Sequence, residues 1–334
     1  MNCINCGTAV SDKILAYNDM AWNKANIFST LKLYHCEKCG LGFSFPLVSY
    51  EDLNTYYSEI YRAKNSPFYF DFGTKVLNKI PKSYPYANER SFSQILLARF
   101  FTDFKDGDIF LDIGPGKGGS FNFAKLLLAS PKLFGIELTV GAKEFFSKNF
   151  EAETYDSLKN YNKCQEKSKI ILMSHSLEHY QISDLDNLFE EIKLALDDLG
   201  VIVIEVPHCD LRIHAEIRAN DTPHTLFFSK QSLKLLLEKY GFEVLFMDTC
   251  GELWETKEQY EASIKSTSVL VKNRIRPLYN KMPIKIQNII RSFVRLFYKL
   301  KNHNLFYNGY YLSIPQHTYG GNRNCLRVVA KKIH

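Results

Sequence analysis

Leu111-Asp-Ile-Gly-Pro-Gly-Lys-Gly-Gly-Ser-Phe121 reads as the end of a strand, a glycine-rich turn and the start of a helix. Phe110 to Ile113 is the predicted strand, and Ser120 to Ala129 the predicted helix. Residues without side chains let a ligand approach the backbone of the turn, and a helix start offers N–H groups that have no partner within the helix. Glu137 closes the next apolar run. An acidic residue about 20 positions beyond such a turn suits a pair of ribose hydroxyls. The stretch therefore marks a site for a nucleotide-like cofactor.

Gly114, Gly116 and Gly119 also satisfy the dinucleotide spacing G-x-G-x-x-G. Asp112 shifts the balance, because a pyrophosphate repels a carboxylate at that position, whereas a ligand carrying an ammonium and a sulfonium tolerates one. D-x-G-x-G resembles motif I of the class I S-adenosylmethionine (SAM) methyltransferases. The region beyond it is similar as well. Leu133 to Glu137, Ala152 to Tyr155, Lys169 to Ser174, Gly200 to Pro207, Phe242 to Met247 and Asn324 to Ala330 read as further strands. Leu188 to Leu196 and the segment from Phe228 to Tyr240 read as helices, the latter with Gly241 as its cap. His175-Ser-Leu-Glu-His179 and the Pro223 to Val244 segment look like their counterparts in that class. The resemblance covers about residues 88 to 250 and the last strand. It implies an α/β fold, a Rossmann-like doubly wound seven-stranded sheet with its last strand antiparallel, and SAM outside the carboxyl ends of the strands. The cofactor contacts it implies are Asp112, Gly114, Pro115, Gly116, Gly118 and Glu137, with Asp156 near the adenine edge and Ser174 at the end of the fourth strand. An NAD-dependent oxidoreductase is the poorer reading, because of Asp112.

The chain has 334 residues, nearly half of them hydrophobic, enough for one large domain and an appendage. Its start lacks the basic and then apolar run of a secretory signal, and no apolar stretch reaches the roughly 18 residues of a membrane span. The expected location is cytoplasmic, with peripheral contact at the inner membrane face as an extension of that reading. The net charge of +6 conceals an asymmetry. Residues 262–334 carry fourteen Lys and Arg and no acid, whereas the preceding residues net −8. One face is therefore expected to meet something anionic.

Cys3-x-x-Cys6 and Cys36-x-x-Cys39 are two knuckles separated by 29 residues. Two such pairs complete a tetrahedral thiolate site for a structural Zn2+, with Gly7 and Gly40 suited to the tight turns behind them. A hairpin is implied between the knuckles, with Ile27 to Tyr34 as one of its strands. Four protein ligands leave no open position, so this metal is structural. A zinc module followed by an aromatic stretch is similar to the layout of many class members that act on small molecules or sugars. Here Phe43 to Pro46 and Tyr56 to Tyr61 fit that layout. Cys164, Cys209, Cys250 and Cys325 read as single, scattered, buried thiols.

His175-x-x-Glu178-His179 spells an inverted zinc-protease motif, but it follows a strand of a cofactor-binding sheet and lacks the long helix that motif needs. In coenzyme Q O-methyltransferases and small-RNA 2′-O-methyltransferases a related E-x-x-E-H segment helps bind a divalent metal. Here His175 replaces the first glutamate, leaving Glu178, His179 and either His208 or His224 as donors. The alternative is metal-free base catalysis by His175, His179 or His224, since histidine titrates near neutrality. A third reading has Glu178 and His179 cap the following helix.

The expected organisation is a zinc-binding module over 1–50, an aromatic lid or linker over 51–87 and a SAM-binding core over 88–251. A basic helical insertion over 252–321 and the last strand with the C-terminus over 322–334 complete it. Tyr69, Tyr84 and Tyr86 are lid candidates. In the insertion, Pro283 to Leu300 carries apolar residues at helical spacing and Arg291, Arg295 and Lys299 on the opposite side. Such a helix packs on the domain, docks on a membrane surface, or faces an anionic substrate or RNA. The leading expectation is methyl transfer to a small hydroxylated acceptor, a sugar or surface-glycan precursor, with O-methylation favoured. An RNA methyltransferase and a non-catalytic, membrane-docking SAM-binding protein are the alternatives.

Overall fold

The computed structural model describes residues 1–10, 15–16, 27–63, 85–212, 223–253 and 323–333. Two sheets organise them. The larger is built from runs of apolar residues that are buried on both sides, the pattern of a sheet covered by helices on both faces. Its strands are β4 (Ile109–Ile113), β5 (Lys132–Ile136), β6 (Glu153–Tyr155), β7 (Ser168–Ser174), β8 (Leu196–Pro207), β10 (Phe242–Leu253) and β11 (Arg323–Lys332). Their order is β10-β11-β8-β7-β4-β5-β6. The β6, β5, β4, β7 and β8 strands run parallel, and β11 runs antiparallel to both β8 and β10. The seven-stranded, doubly wound sheet with an antiparallel last strand is therefore as the sequence led us to expect.

Helices α2 (Pro85–Phe101), α3 (Gly119–Leu127) and α4 (Ala142–Phe150) contribute Ile95, Leu97, Phe121, Ala124, Phe145 and Phe146 to one core, against Phe110, Leu172 and Val203 of the sheet. Helices α5 (Leu158–Asn162), α6 (Leu185–Ala195) and α7 (Lys230–Lys239) cover the other face, where Leu188, Phe189, Leu233 and Leu236 pack on Leu111, Ile171 and Ile202. The two cores alternate along each strand, as the two-residue period requires.

The smaller sheet is β1 (Leu15–Ala16), β2 (Lys32–His35), β3 (Gly42–Phe45) and β9 (Leu226–Phe227), in that order. The expected strand from Ile27 is shorter than its alternation suggested. Residues 27–30 form a turn, closed by Leu31 N–H on the Phe28 carbonyl at 3.2 Å, and pairing begins at Lys32. This sheet is not a free-standing module. Its fourth strand comes from beyond β8, and Cys3, Cys36, Cys39, Leu41 and Phe43 share the core of the larger sheet. Helix α1 (Tyr50–Thr55), capped by Ser49 on the Asp52 N–H, continues into one wide turn over Tyr56–Ile60.

Among the described residues no helix is long and apolar enough to cross a membrane. The basic helix expected over 283–300, with Arg291, Arg295 and Lys299, lies outside the described residues, as do Tyr69 and Tyr84. Tyr86 falls within α2.

Candidate functional site

Four strand ends and two loops converge at the carboxyl edge of β4 and β7. The glycine turn adopts the geometry that only glycine takes without strain, with φ of +83° at Gly114, +59° at Gly116 and +74° at Gly118. A Cβ on Gly118 would stand 2.5 Å from the buried ring of Phe150, so α3 can begin here only without a side chain. Gly118 N–H closes the turn on the Pro115 carbonyl at 2.8 Å, and Gly114 N–H bonds the Ile136 carbonyl at 2.9 Å.

Asp112 sits in β4 beneath this turn, 2 % exposed. Its Oδ2 accepts from the Ser120 hydroxyl, and its Oδ1 is buried without a hydrogen-bond partner. Burial pushes the carboxyl up to about 7, with Ser120 opposing and Glu137 adding to the shift. A buried carboxylate oxygen without a partner, next to an open glycine turn, fits a cationic ligand group such as the SAM ammonium. Glu137 follows β5 and turns Oε1 onto the backbone N–H and hydroxyl of Thr139 at 3.1 and 2.8 Å. Asp156 follows β6 and accepts from Ser157 and Asn160, so it also shapes the start of α5. Ser174 ends β7 and accepts from Gln94 Nε2 at 2.9 Å.

The histidine loop touches this turn, since a Cβ on Gly114 would come within 3.2 Å of the Ser176 Cβ. Leu177–His179 form a short turn that buries Glu178 completely. Glu178 Oε1 lies 3.2 Å from His175 Nδ1 and 3.9 Å from His224 Nε2. Donor atoms of Glu178, His179 and His224 all fall within 4.8 Å of one another. The rings of His179 and His224 meet edge to face, their centroids 5.0 Å apart. The structure thus brings together the three histidines expected from sequence, although His224 lies 45 residues beyond His179. The helix-capping reading of Glu178 and His179 fails, because α6 starts after Asp184, beyond this turn. His208 is also excluded from the cluster: its Nδ1 lies 3.1 Å from the Arg323 carbonyl.

The three histidines are not equivalent. Burial pushes His179 down to about 4, so its imidazole stays neutral at physiological pH. Its Nδ1 meets the Tyr57 hydroxyl at 3.1 Å. His175 is the opposite case. Burial and Arg90 resist a charge there, but Cys325, Glu178 and Glu205 outweigh them and hold the imidazolium well above its ordinary value. Its Nε2 is 3.4 Å from Glu205 Oε1, its N–H bonds the Glu205 carbonyl at 2.8 Å, and its φ is +55°. Held between the Glu178 and Glu205 carboxylates, His175 is the histidine of the three whose charged form the surroundings favour. Burial pushes Glu178 up, yet His175, then His179 and His224, draw its carboxyl below the ordinary range.

Beneath the histidines lies a buried ionic cluster. Glu205 of β8 is paired with Arg90 Nε at 2.8 Å and Arg327 Nη2 at 2.6 Å, and it accepts from Gln94 Nε2 at 3.0 Å. Glu205 and Arg327 have no exposed surface, and they face one another across β8 and β11. Sequence reasoning missed this pair. Its signal was one acid and one base, each alone inside a buried apolar strand, Val201–Val206 and Leu326–Ala330.

An aromatic segment spans both halves of the site. Tyr57 reaches His179, Tyr61 packs edge-on to His179 at 6.1 Å, and the Arg62 guanidinium lies 3.9 Å from where a Cβ of Gly116 would be. Burial pushes the Tyr61 hydroxyl up to about 12, with the charges of Glu178 and Glu137 adding to it against Arg62.

The cysteine knuckles fasten the corner from outside. Sγ atoms of Cys3 and Cys39 are 3.6 Å apart and those of Cys6 and Cys36 3.5 Å, all four within 4.8 Å. Tetrahedral Zn–S bonds of about 2.3 Å require S···S spacings of about 3.8 Å, so the donor set fits. Backbone N–H groups of Asn5 and Cys6 point at the Cys3 sulfur, and those of Lys38 and Cys39 at Cys36. Arg212 and Ser229 bind the carbonyls of Glu37 and Cys39 at 3.0 and 2.8 Å. From the second knuckle, β3 runs to β9, and Ser44 N–H bonds the carbonyl of Thr225, next to His224, at 2.9 Å. Thr225 N–H bonds the Glu178 carbonyl at 2.8 Å, and the Gln181 amide is bonded both ways to the Val48 backbone at 2.6 and 2.8 Å. The knuckles thereby set where His224 and Glu178 lie.

A family described as "Methyltransferase domain" matches residues 87–245. No curated protein matches the sequence. Among solved structures, a SAM-dependent methyltransferase from Archaeoglobus fulgidus is 19% identical, over 73% of this chain and 94% of that one, with a TM-score of 0.43. A cyclopropane synthase from Mycobacterium tuberculosis is 12% identical over 78% and 87% of the two chains, at a TM-score of 0.46. A SAM-dependent methyltransferase from Thiobacillus denitrificans, solved with S-adenosyl-L-homocysteine, is 13% identical over 75% and 93%, at 0.42. The sheet order, the glycine turn over Asp112 and the family match over residues 87–245 agree with one another: this part of the chain is similar to a methyltransferase domain and carries the Rossmann-like methyltransferase fold.

Proposed function

We propose that this enzyme methylates a hydroxyl of a small acceptor, a sugar or surface-glycan precursor. The observation that carries this reading is the wholly buried Glu178 carboxylate, ringed by His175, His179 and His224, on a loop whose Ser176 lies against the cofactor turn. As the sulfonium methyl reaches the acceptor oxygen, the hydroxyl proton must leave. His179, neutral and facing Tyr57, and His224 are the groups positioned to receive it. Glu178 stabilises the imidazolium that forms. At an effective dielectric of about 20, a carboxylate about 4 Å away contributes about 4 kcal/mol, an upper figure for a factor of about 10³ in rate. His175, 3.2 Å from Glu178 and 3.4 Å from Glu205, fixes the orientation of Glu178. Holding donor and acceptor in line supplies the remainder.

The thiolates of Cys3, Cys6, Cys36 and Cys39 would hold a structural Zn2+, with no position open for substrate. A second reading, metal-assisted transfer, draws on the donor atoms of Glu178, His179 and His224, which lie within 4.8 Å of one another. Glu178, His179 and His224 offer two imidazoles and a carboxylate, a donor set that suits a divalent cation. Such a cation would lower the proton affinity of a bound hydroxyl.

The test is transfer of labelled methyl from SAM into a cell extract separated into RNA, protein, lipid-glycan and small-molecule pools. Label in the glycan or small-molecule pool, lost in His179→Ala and Glu178→Gln while SAM binding persists, is the expected result. Label confined to RNA overturns it. Loss of activity on dialysis against a chelator, regained with Mg2+ or Mn2+ while the zinc content is unchanged, selects the metal-assisted route.

A further inference from the structure

Cys250 and Cys325 are far apart in the sequence, and the expectation that they are scattered thiols does not survive the fold. The β10–β11 register sets them directly opposite one another, and both are buried, 0 % and 3 % exposed. Directly opposed residues of an antiparallel pair point to the same face, with Cβ atoms about 4.5–5.5 Å apart. A disulfide needs about 3.5–4.5 Å, so closure asks for a movement of about 1 Å. The strand has the means to make it. The register breaks immediately after Cys250, and Gly251 follows with φ +90°.

The surroundings make the pair unequal. Cys325 Sγ lies 3.8 Å from His175 Nε2 and 3.9 Å from Arg90 Nη2. Cys250 donates to Glu205 Oε2 at 3.7 Å. His175 and Arg90 therefore touch Cys325, and the Glu205 carboxylate touches Cys250; Glu205 also lies within 4.8 Å of Cys325, and the charge of Arg327 also reaches Cys250. The Cys250 hydrogen bond, then the His175 imidazolium, holds the Cys325 thiol well below its usual value against burial, whereas burial and Cys325 push Cys250 up. A thiolate beside an imidazolium, with a thiol across from it, is the arrangement of an attacking and a resolving cysteine. His175, Glu205 and Cys325 also gather like metal ligands, but the guanidinium groups of Arg90 and Arg327 already neutralise Glu205 and repel a cation.

We propose that Cys250 and Cys325 form a dithiol that hydrogen peroxide oxidises to a disulfide, with Cys325 attacking and Cys250 resolving. The Cys325 thiolate attacks one peroxide oxygen. The O–O bond breaks, and the leaving hydroxide takes a proton and departs as water, which leaves a sulfenic acid. The Cys250 sulfur, its proton passing to the departing oxygen, then displaces that group as a second water and forms the S–S bond. Two electrons pass from the sulfurs to one peroxide. The side chain of His175, 27% exposed, marks the side from which a small oxidant enters. Closure removes the Cys325 thiolate from His175, so the histidine corner senses the oxidation state of the pair.

The full-length protein is treated with graded hydrogen peroxide, alkylated after unfolding and mapped by mass spectrometry. The expected product is a Cys250–Cys325 cross-linked peptide, lighter by two hydrogens and reversed by dithiothreitol, formed at lower peroxide than any change at the exposed Cys164. Cys250→Ser is expected to stop at a sulfenic acid on Cys325 that dimedone traps, and Cys325→Ser to leave Cys250 reduced. Oxidation of Cys164 before any cross-link, or oxidation of Cys250 in Cys325→Ser, overturns the proposal. If one serine variant does not fold, the order of events in the wild-type chain still decides.

Discussion

SAM affinity should be linked to pH through Asp112. An ordinary Asp titrates near 3.8, and burial takes this one to about 7. At about 1.4 kcal/mol per pH unit, keeping its carboxylate charged above pH 7 costs the ligand-free protein about 4 kcal/mol. The orphaned Oδ1 is where a cationic ligand group recovers part of that cost. Binding therefore favours the charged form and lowers the carboxyl pKa in the complex. Affinity is full above about pH 7 and falls as the pH drops through 7, about tenfold per unit, to about 100-fold weaker at pH 5 than at pH 8. Calorimetric titration with SAM across that range measures it. Asp112→Asn keeps a partner for Ser120 but removes the charge, and its affinity should be weak and flat with pH. A flat profile in the wild-type protein, or a slope that survives Asp112→Asn, refutes the reasoning.

Three further outcomes are expected. Arg327→Leu leaves the buried Glu205 carboxylate without its shortest ion pair, and should lower unfolding free energy by about 3–5 kcal/mol; an unchanged denaturant midpoint would count against a structural role for the pair. Gly118→Ala adds left-handed backbone strain of about 1–2 kcal/mol and overpacking of about 1–3 kcal/mol against Phe150. Gly107→Ala, at a similar φ of +80° but with nothing within 4 Å, carries only the first cost, so thermal unfolding of the two variants should differ. Stripping metal from the knuckles should expose the amides of Gly42–Phe45 and Leu226–Phe227 to hydrogen exchange, while β4, β5 and β7 stay protected. Exchange unchanged at β9 would show that the knuckles do not hold the His224 corner.

Much of the core was legible because parallel strands buried on both faces leave continuous apolar runs. Ile109–Ile113, Ser168–Ser174 and the Val201–Val206 part of β8 announce themselves that way. The cofactor turn was legible because its glycines are demanded locally, by positive φ and by Phe150. The roles of the histidines were not, because a histidine's charge depends on neighbours brought from elsewhere. Charge on His175 is favoured by Cys325, 150 residues on, and by Glu205, 30 residues on, whereas burial, aided by His224 and His175, disfavours charge on His179.

By itself, then, the sequence determined what depends on near neighbours: the strand and helix periods, the glycine turn with its aspartate, and the spacing within each cysteine knuckle. Tertiary structure decided what depends on register and on which chain segments meet. It set Cys250 against Cys325, paired Glu205 with Arg327, carried His224 to Glu178 through β9, and joined the knuckles to the histidine corner. Those choices rest on contacts between residues tens to hundreds of positions apart, whose energies exist only once the chain has buried them together.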